Sequence, residues 1–68
     1  MRFHIENMTC GHCERTIRRA LAALSPEAVV GVDIRGRTID VEGPVTAAQV
    51  VGVLADEGYA AIRVDEIA

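Results

Sequence analysis

Val30-Gly31-Val32-Asp33-Ile34-Arg35-Gly36-Arg37-Thr38-Ile39-Asp40-Val41-Glu42 is the stretch that decides the fold. Val30, Val32 and Ile34 alternate with Gly31 and Asp33, then Ile39 and Val41 alternate with Asp40 and Glu42. Period-2 alternation on both sides of the Arg35-Gly36-Arg37 turn signal predicts a hairpin of two half-buried strands. Upstream, the periodicity changes. Cys13, Ile17, Ala20, Leu21 and Leu24 fall on one helical stripe, opposite Glu14, Arg15, Arg18 and Arg19, and Ser25-Pro26 stops the run. The arginines late in this helix are expected to suit the negative end of its dipole. Downstream, Gly43-Pro44 breaks the hairpin. A second helix is expected over about residues 46–57, with Thr46 as cap, Ala47, Val50, Val51 and Leu54 on the buried stripe, and Gly58 as its terminator. At the flanks, Arg2-Phe3-His4-Ile5-Glu6-Asn7 alternates with Phe3 and Ile5 inward, and Ile62 and Val64 mark a last strand.

The resulting order, β-α-β-β-α-β, is the split βαβ or ferredoxin-like arrangement. Right-handed crossovers put both helices on one face of a four-stranded antiparallel sheet. In that topology the loop after the first strand and the loop before the last lie at one end of the domain. Cys10, Cys13 and Tyr59 are therefore expected to be neighbours, while His4 faces solvent on the open side of the sheet.

Composition narrows the function. The chain has 68 residues, expected to form one domain over 1–68. A chain of this size buries only roughly 60% of its unfolded surface. Half the residues are hydrophobic, yet Phe3 and Tyr59 are the only aromatics among Phe, Tyr and Trp, so the core is aliphatic. A thin layer of this kind suits a sheet covered by helices rather than a deep catalytic cavity. Ten acids against seven arginines give a net charge of −3 with no basic tract, which argues against a nucleic-acid surface. Met1 leads straight into Phe3-His4-Ile5 without a signal-peptide pattern, and no apolar stretch approaches the ~20 residues of a membrane span. The expected compartment is the cytoplasm, where thiols stay reduced, with no direct membrane insertion.

Met8-Thr9-Cys10-Gly11-His12-Cys13 holds both cysteines of the chain, where a strand hands over to a helix. A turn feeding a helix N-terminus can present two thiolates side by side, and its unpaired N–H groups favour S⁻. Thiolates are soft ligands for Cu(I), Zn(II) and related thiophilic ions. Two of them suffice for Cu(I), whereas Zn(II) usually takes four ligands. Cys13 lies on the apolar stripe and is expected to be the more buried; Cys10, on the loop, is the more accessible. Met8 is expected to pack under the loop rather than ligate. His12, between the cysteines, is read as a solvated residue, with metal ligation or pH tuning as the alternative. Arg15, Arg18 and Arg19 make either a solvated helix face or a surface that steers an acidic partner.

Over about residues 1–65 the chain resembles the heavy-metal-associated domain family, and within it the free-standing bacterial copper chaperones. The resemblance rests on Met8-x-Cys10-x-x-Cys13 between the first strand and first helix, on Gly58-Tyr59 after the second helix, and on element order and length. It implies Cu(I) held by Cys10 and Cys13 and passed to the metal-binding domains of a copper-transporting P-type ATPase. It also implies a surround of Met8, Thr9, Gly11, His12 and Tyr59, with Tyr59 shielding or hydrogen-bonding near the sulfurs. Metal-bridged homodimers are chemically possible, since four thiolates from two chains can share Cu(I). The chain departs from the family pattern twice. Asn7 stands where the family often has Gly before the methionine, a position Asn can fill in a left-handed turn. Pro26-Glu27-Ala28-Val29 replaces the frequent Gly-Val pair, which leaves the first residue of the second strand open.

Cys10-Gly11-His12-Cys13 is also the tetrapeptide of protein disulfide isomerases, so a thiol-disulfide oxidoreductase is the competing class. Thioredoxin-like domains are longer, with a Trp before the motif and a Pro facing it; this chain has no Trp, and Pro26 and Pro44 sit at element ends. A carrier of another thiophilic ion, Hg(II), Cd(II) or Zn(II), is the third reading. No other catalytic constellation appears in the sequence, and a non-enzymatic role is expected.

Overall fold

A computed structural model describes residues 1–65. The elements run β1 (Arg2–Ile5), α1 (Gly11–Leu24), β2 (Val29–Asp33), β3 (Thr38–Glu42), α2 (Ala47–Asp56) and β4 (Ala61–Arg63). The strands form one sheet in the order β2-β3-β1-β4, with every neighbouring pair antiparallel. This is the expected ferredoxin-like sandwich, with α1 and α2 over one face.

The core lies between sheet and helices. Phe3 and Ile5 of β1, Ile39 and Val41 of β3, Ile17 and Leu21 of α1, and Val50 and Leu54 of α2 are fully or almost fully buried. Met8 joins them. In a domain this small, each such side chain contributes on the order of 1.5–3 kcal/mol by leaving water.

Element ends follow local chemistry. Helix α1 begins at Gly11, two residues ahead of its first buried position, because Cys10 occupies the extended N-cap (φ −152°, ψ 169°). Gly11 and His12 form an exposed first turn, which apolar periodicity cannot detect. At the other end Ser25 is buried, and its N–H reaches Leu21 O at 2.9 Å before Pro26 forbids another turn. The last turn of α1 contains no basic residue, so the expected arginine–dipole pairing is absent. Arg18 lies too far back and does something else: Nε bonds Glu14 Oε2 at 2.9 Å and Nη1 bonds the Val30 carbonyl at 2.7 Å. It is a strut from α1 to β2.

The hairpin turn spans residues 34–37, so Ile34 lies beyond β2, which begins instead at the exposed Val29. Arg37, not Gly36, carries the left-handed backbone (φ 56°). Helix α2 starts as the cap predicts, and more tightly. The Thr46 hydroxyl accepts from Gln49 N at 3.1 Å, and Gln49 Oε1 accepts from Thr46 N at 2.9 Å, a reciprocal capping box.

Its C-terminus positions the far loop. Gly58 takes φ 89°, its N–H donates to Ala55 O at 3.0 Å, and the Tyr59 N–H donates to Leu54 O at 2.8 Å. These two bonds make a Schellman turn, which needs the left-handed residue that Gly supplies without penalty. The turn fixes the phase of β4. Ala61 pairs with Ile5 and faces the core, so Ile62, paired with His4, points outward at 64% exposure. Ile62 lies in the strand, as expected, but on its open side, whereas Val64 falls one residue past its end and is exposed.

Candidate metal centre

The fold brings the two cysteines and Tyr59 to one end of the domain, as the topology requires. Cys10, at the N-cap of α1, is exposed; Cys13, three residues on, is 8% exposed and belongs to the core cluster. Their sulfurs lie 3.5 Å apart, as free thiols in contact. The Cys10 side chain caps nothing, so its sulfur is committed to no backbone donor of the helix. Unpaired N–H groups of the first turn add positive potential beneath the pair.

The Cys13 thiol is made more acidic than an ordinary thiol for identifiable reasons. The Tyr59 hydroxyl beside its sulfur is the largest influence, followed by the Thr9 backbone and the Cys10 side chain; all favour the thiolate and bring the thiol down from 9.0 to about 7. The same contact acts on its other partner. Bonding to Cys13, then burial, then the nearby cysteine charges push the Tyr59 phenol up from 10.0 to about 12. Tyr59 is half-buried against the core and keeps its proton through the physiological range, where it serves as a donor.

The remaining expected residues fall as follows. Met8 is fully buried among the core side chains, in the packing role expected of it. Thr9 is exposed and contributes its backbone. Gly11 is exposed, and a Cβ there would meet nothing within 4 Å. His12 is exposed, and among the described residues no group of three or more His, Cys, Asp and Glu converges on one point, so neither His12 nor an acid completes a larger ligand set. His4 sits on the open sheet face, 3.5 Å from Glu6. Of the three arginines on α1, Arg18 is engaged as the strut, while Arg15 and Arg19 are exposed.

Asn7 overturns an expectation. Among the described non-glycine residues only Arg37 has positive φ, so Asn7 is not there for a left-handed turn. Its side chain is in use instead: Nδ2 donates to the Gly58 carbonyl at 2.9 Å, and its own carbonyl lies 3.9 Å from the Cys13 sulfur, which donates to it. Sequence reading missed this because the alternation carries Asn7 into the first strand, whereas β1 ends at Ile5 and Asn7 belongs to the turn that follows, where no periodicity assigns a partner.

The sequence model of the heavy-metal-associated domain matches residues 2–60, nearly the whole chain. The chain belongs to the heavy-metal-associated domain family. Solved structures agree. A gold-binding protein is 36% identical, over 90% of this chain and 94% of its own, with a TM-score of 0.87. Protein Atu1203 from Agrobacterium tumefaciens is 38% identical over 88% of this chain and 94% of its own, with a TM-score of 0.80. The copper chaperone Atx1 from Synechocystis PCC6803 superimposes with a TM-score of 0.88 over 91% of this chain and 98% of its own at 18% identity, a likeness of fold. Among the described residues no helix is long and apolar enough to cross a membrane.

Proposed function

We propose that this heavy-metal-associated domain is a cytoplasmic carrier of Cu(I), holding the ion between Cys10 Sγ and Cys13 Sγ and passing it to the metal-binding domains of a copper-transporting P-type ATPase. The observation that carries the reading is the pair of free thiols in contact, one exposed and one almost buried, with no group of three or more His, Cys, Asp and Glu converging on one point among the described residues. Two thiolates around a monovalent soft ion leave a net charge of −1, which the α1 N-terminus offsets. The open coordination suits transfer. A partner thiolate bonds the ion beside the two cysteines, Cys10 Sγ leaves first because it is the exposed one, and Cys13 Sγ leaves as a second partner sulfur arrives. The ion keeps its oxidation state, and each departing thiolate is free to take up the proton released by the incoming partner thiol that displaces it. No substrate is chemically changed, so the chain is read as a carrier and not an enzyme.

Au(I) is the second reading of the cargo, favoured by likeness to the gold-binding protein and by the same preference for two soft ligands. Competition titrations of Cu(I) and Au(I) under reducing, anaerobic conditions separate the two. The expected result is one Cu(I) per chain, lost in the Cys10→Ala/Cys13→Ala variant. Efficient insulin-disulfide reduction without comparable copper affinity would transfer the site to the oxidoreductase class.

A further inference from the structure

The metal loop and the turn that carries Tyr59 belong to different ends of the chain, and the sheet does not join them. Pairing between β1 and β4 stops at Ile5 and Ala61. Beyond that point the one side-chain hydrogen bond that crosses between residues 6–13 and 57–60 among the described residues is Asn7 Nδ2 to Gly58 O at 2.9 Å, and the Tyr59 phenol stands beside the Cys13 sulfur. Gly58 is the left-handed residue of the Schellman turn and immediately precedes Tyr59. A tug on its carbonyl therefore acts on the segment that aims the phenol. Asn7 grips both sides, since its main-chain carbonyl also receives the Cys13 thiol. Nothing in the backbone demands Asn at this position, because its φ is negative.

We propose that Asn7 is a positioning residue: its side-chain amide latches the Gly58-Tyr59 turn over the dithiol loop, keeps the phenol on Cys13, and so sets how readily an incoming thiolate reaches that sulfur. The proposal rests on the carrier reading for its consequence, but not for its geometry. Asn7 is exposed, so the latch is a single hydrogen bond open to water and works as a reversible catch. Cys13 is almost buried, so on this proposal lifting the turn is what opens its sulfur to exchange.

The chain offers its own reporter, because Tyr59 is the only tyrosine and there is no tryptophan. Tyr59 fluorescence of the metal-free protein is read with acrylamide as quencher, in wild type, Asn7→Gly and Asn7→Asp. Glycine removes the donor with the side chain; aspartate removes it while keeping the outline. Both variants are expected to expose Tyr59 more. Both are expected to release Cu(I) to a thiol competitor about five-fold faster, the factor that one ordinary hydrogen bond carries. The acceleration is expected to vanish when the same changes are made in Tyr59→Phe. Unchanged quenching, or an equal acceleration in the Tyr59→Phe background, would overturn the latch. Failure of the wild type to bind Cu(I) would overturn the carrier reading instead, and the quenching comparison would still decide for or against the latch.

Discussion

Replacing Met8 by leucine and by alanine separates a packing methionine from a ligand methionine. Met8 is fully buried and packs with Phe3, Ile5, Cys13 and Ile17 in the core cluster. Truncation to alanine leaves a cavity under the metal loop and is expected to cost about 2–5 kcal/mol. A domain of 68 residues has roughly 3–10 kcal/mol to lose. At roughly 4–8 °C per kcal/mol, the midpoint of thermal unfolding falls by roughly 8–40 °C. Leucine nearly conserves volume and costs less than about 1.5 kcal/mol. Circular-dichroism melts of the reduced, metal-free variants measure both effects, and Cu(I) competition against a chelator measures affinity. The expected outcome is a destabilised alanine variant, beside a leucine variant that folds and binds Cu(I) as the parent does. A leucine variant with a near-parental melt but an affinity lowered more than about ten-fold would refute the argument, since only loss of a sulfur ligand leaves that pattern.

Tyr59→Phe should raise the Cys13 thiol from about 7 toward its ordinary range, though not all the way, because the Thr9 N–H and the Cys10 side chain remain; thiolate absorbance against pH reads the shift. The sign for stability follows: the folded thiol is the stronger acid, so its contribution is complete above the ordinary thiol range and lost as pH falls through about 7. Denaturation midpoints of the reduced protein compared across that window should show a rise that shrinks in Tyr59→Phe. Gly58→Ala forces a Cβ into φ 89° with open space around it, so the cost is conformational, about 1–2 kcal/mol in urea unfolding, with Tyr59 fluorescence displaced. Thr46→Ala removes half of the capping box and should cost about 1 kcal/mol in the same assay without altering metal affinity.

The architecture was legible because the switch from period 2 to period 3.6 and back is clean in this chain. Ile39 and Val41 stand out between polar neighbours, and Ile17 with Leu21 mark a single helical face. Topology then carried Tyr59 to the cysteines, a contact that no spacing along the chain encodes. The misreadings share a cause. Val64 reads as part of the last strand, but β4 ends at Arg63, because this three-residue strand takes its start and phase from the Schellman turn before it and not from its own apolar residues. The assignment of Asn7 to a left-handed backbone, and of the α1 arginines to the helix dipole, both came from local rules. In each case a tertiary partner, the Gly58 carbonyl or the Val30 carbonyl, claims the side chain instead.

Arg18 has a consequence beyond joining helix to sheet. Strand β2 forms a border of the sheet, where uncommitted peptide groups invite a stranger's backbone to zip alongside. By laying its guanidinium on the Val30 oxygen, this side chain occupies one rung of that ladder and places a cation where an intruding strand would have to lie. A protein proposed to brush repeatedly against other domains gains from such a guard: meetings at the sulfur end can stay brief, because the flank offers no easy seam for permanent attachment.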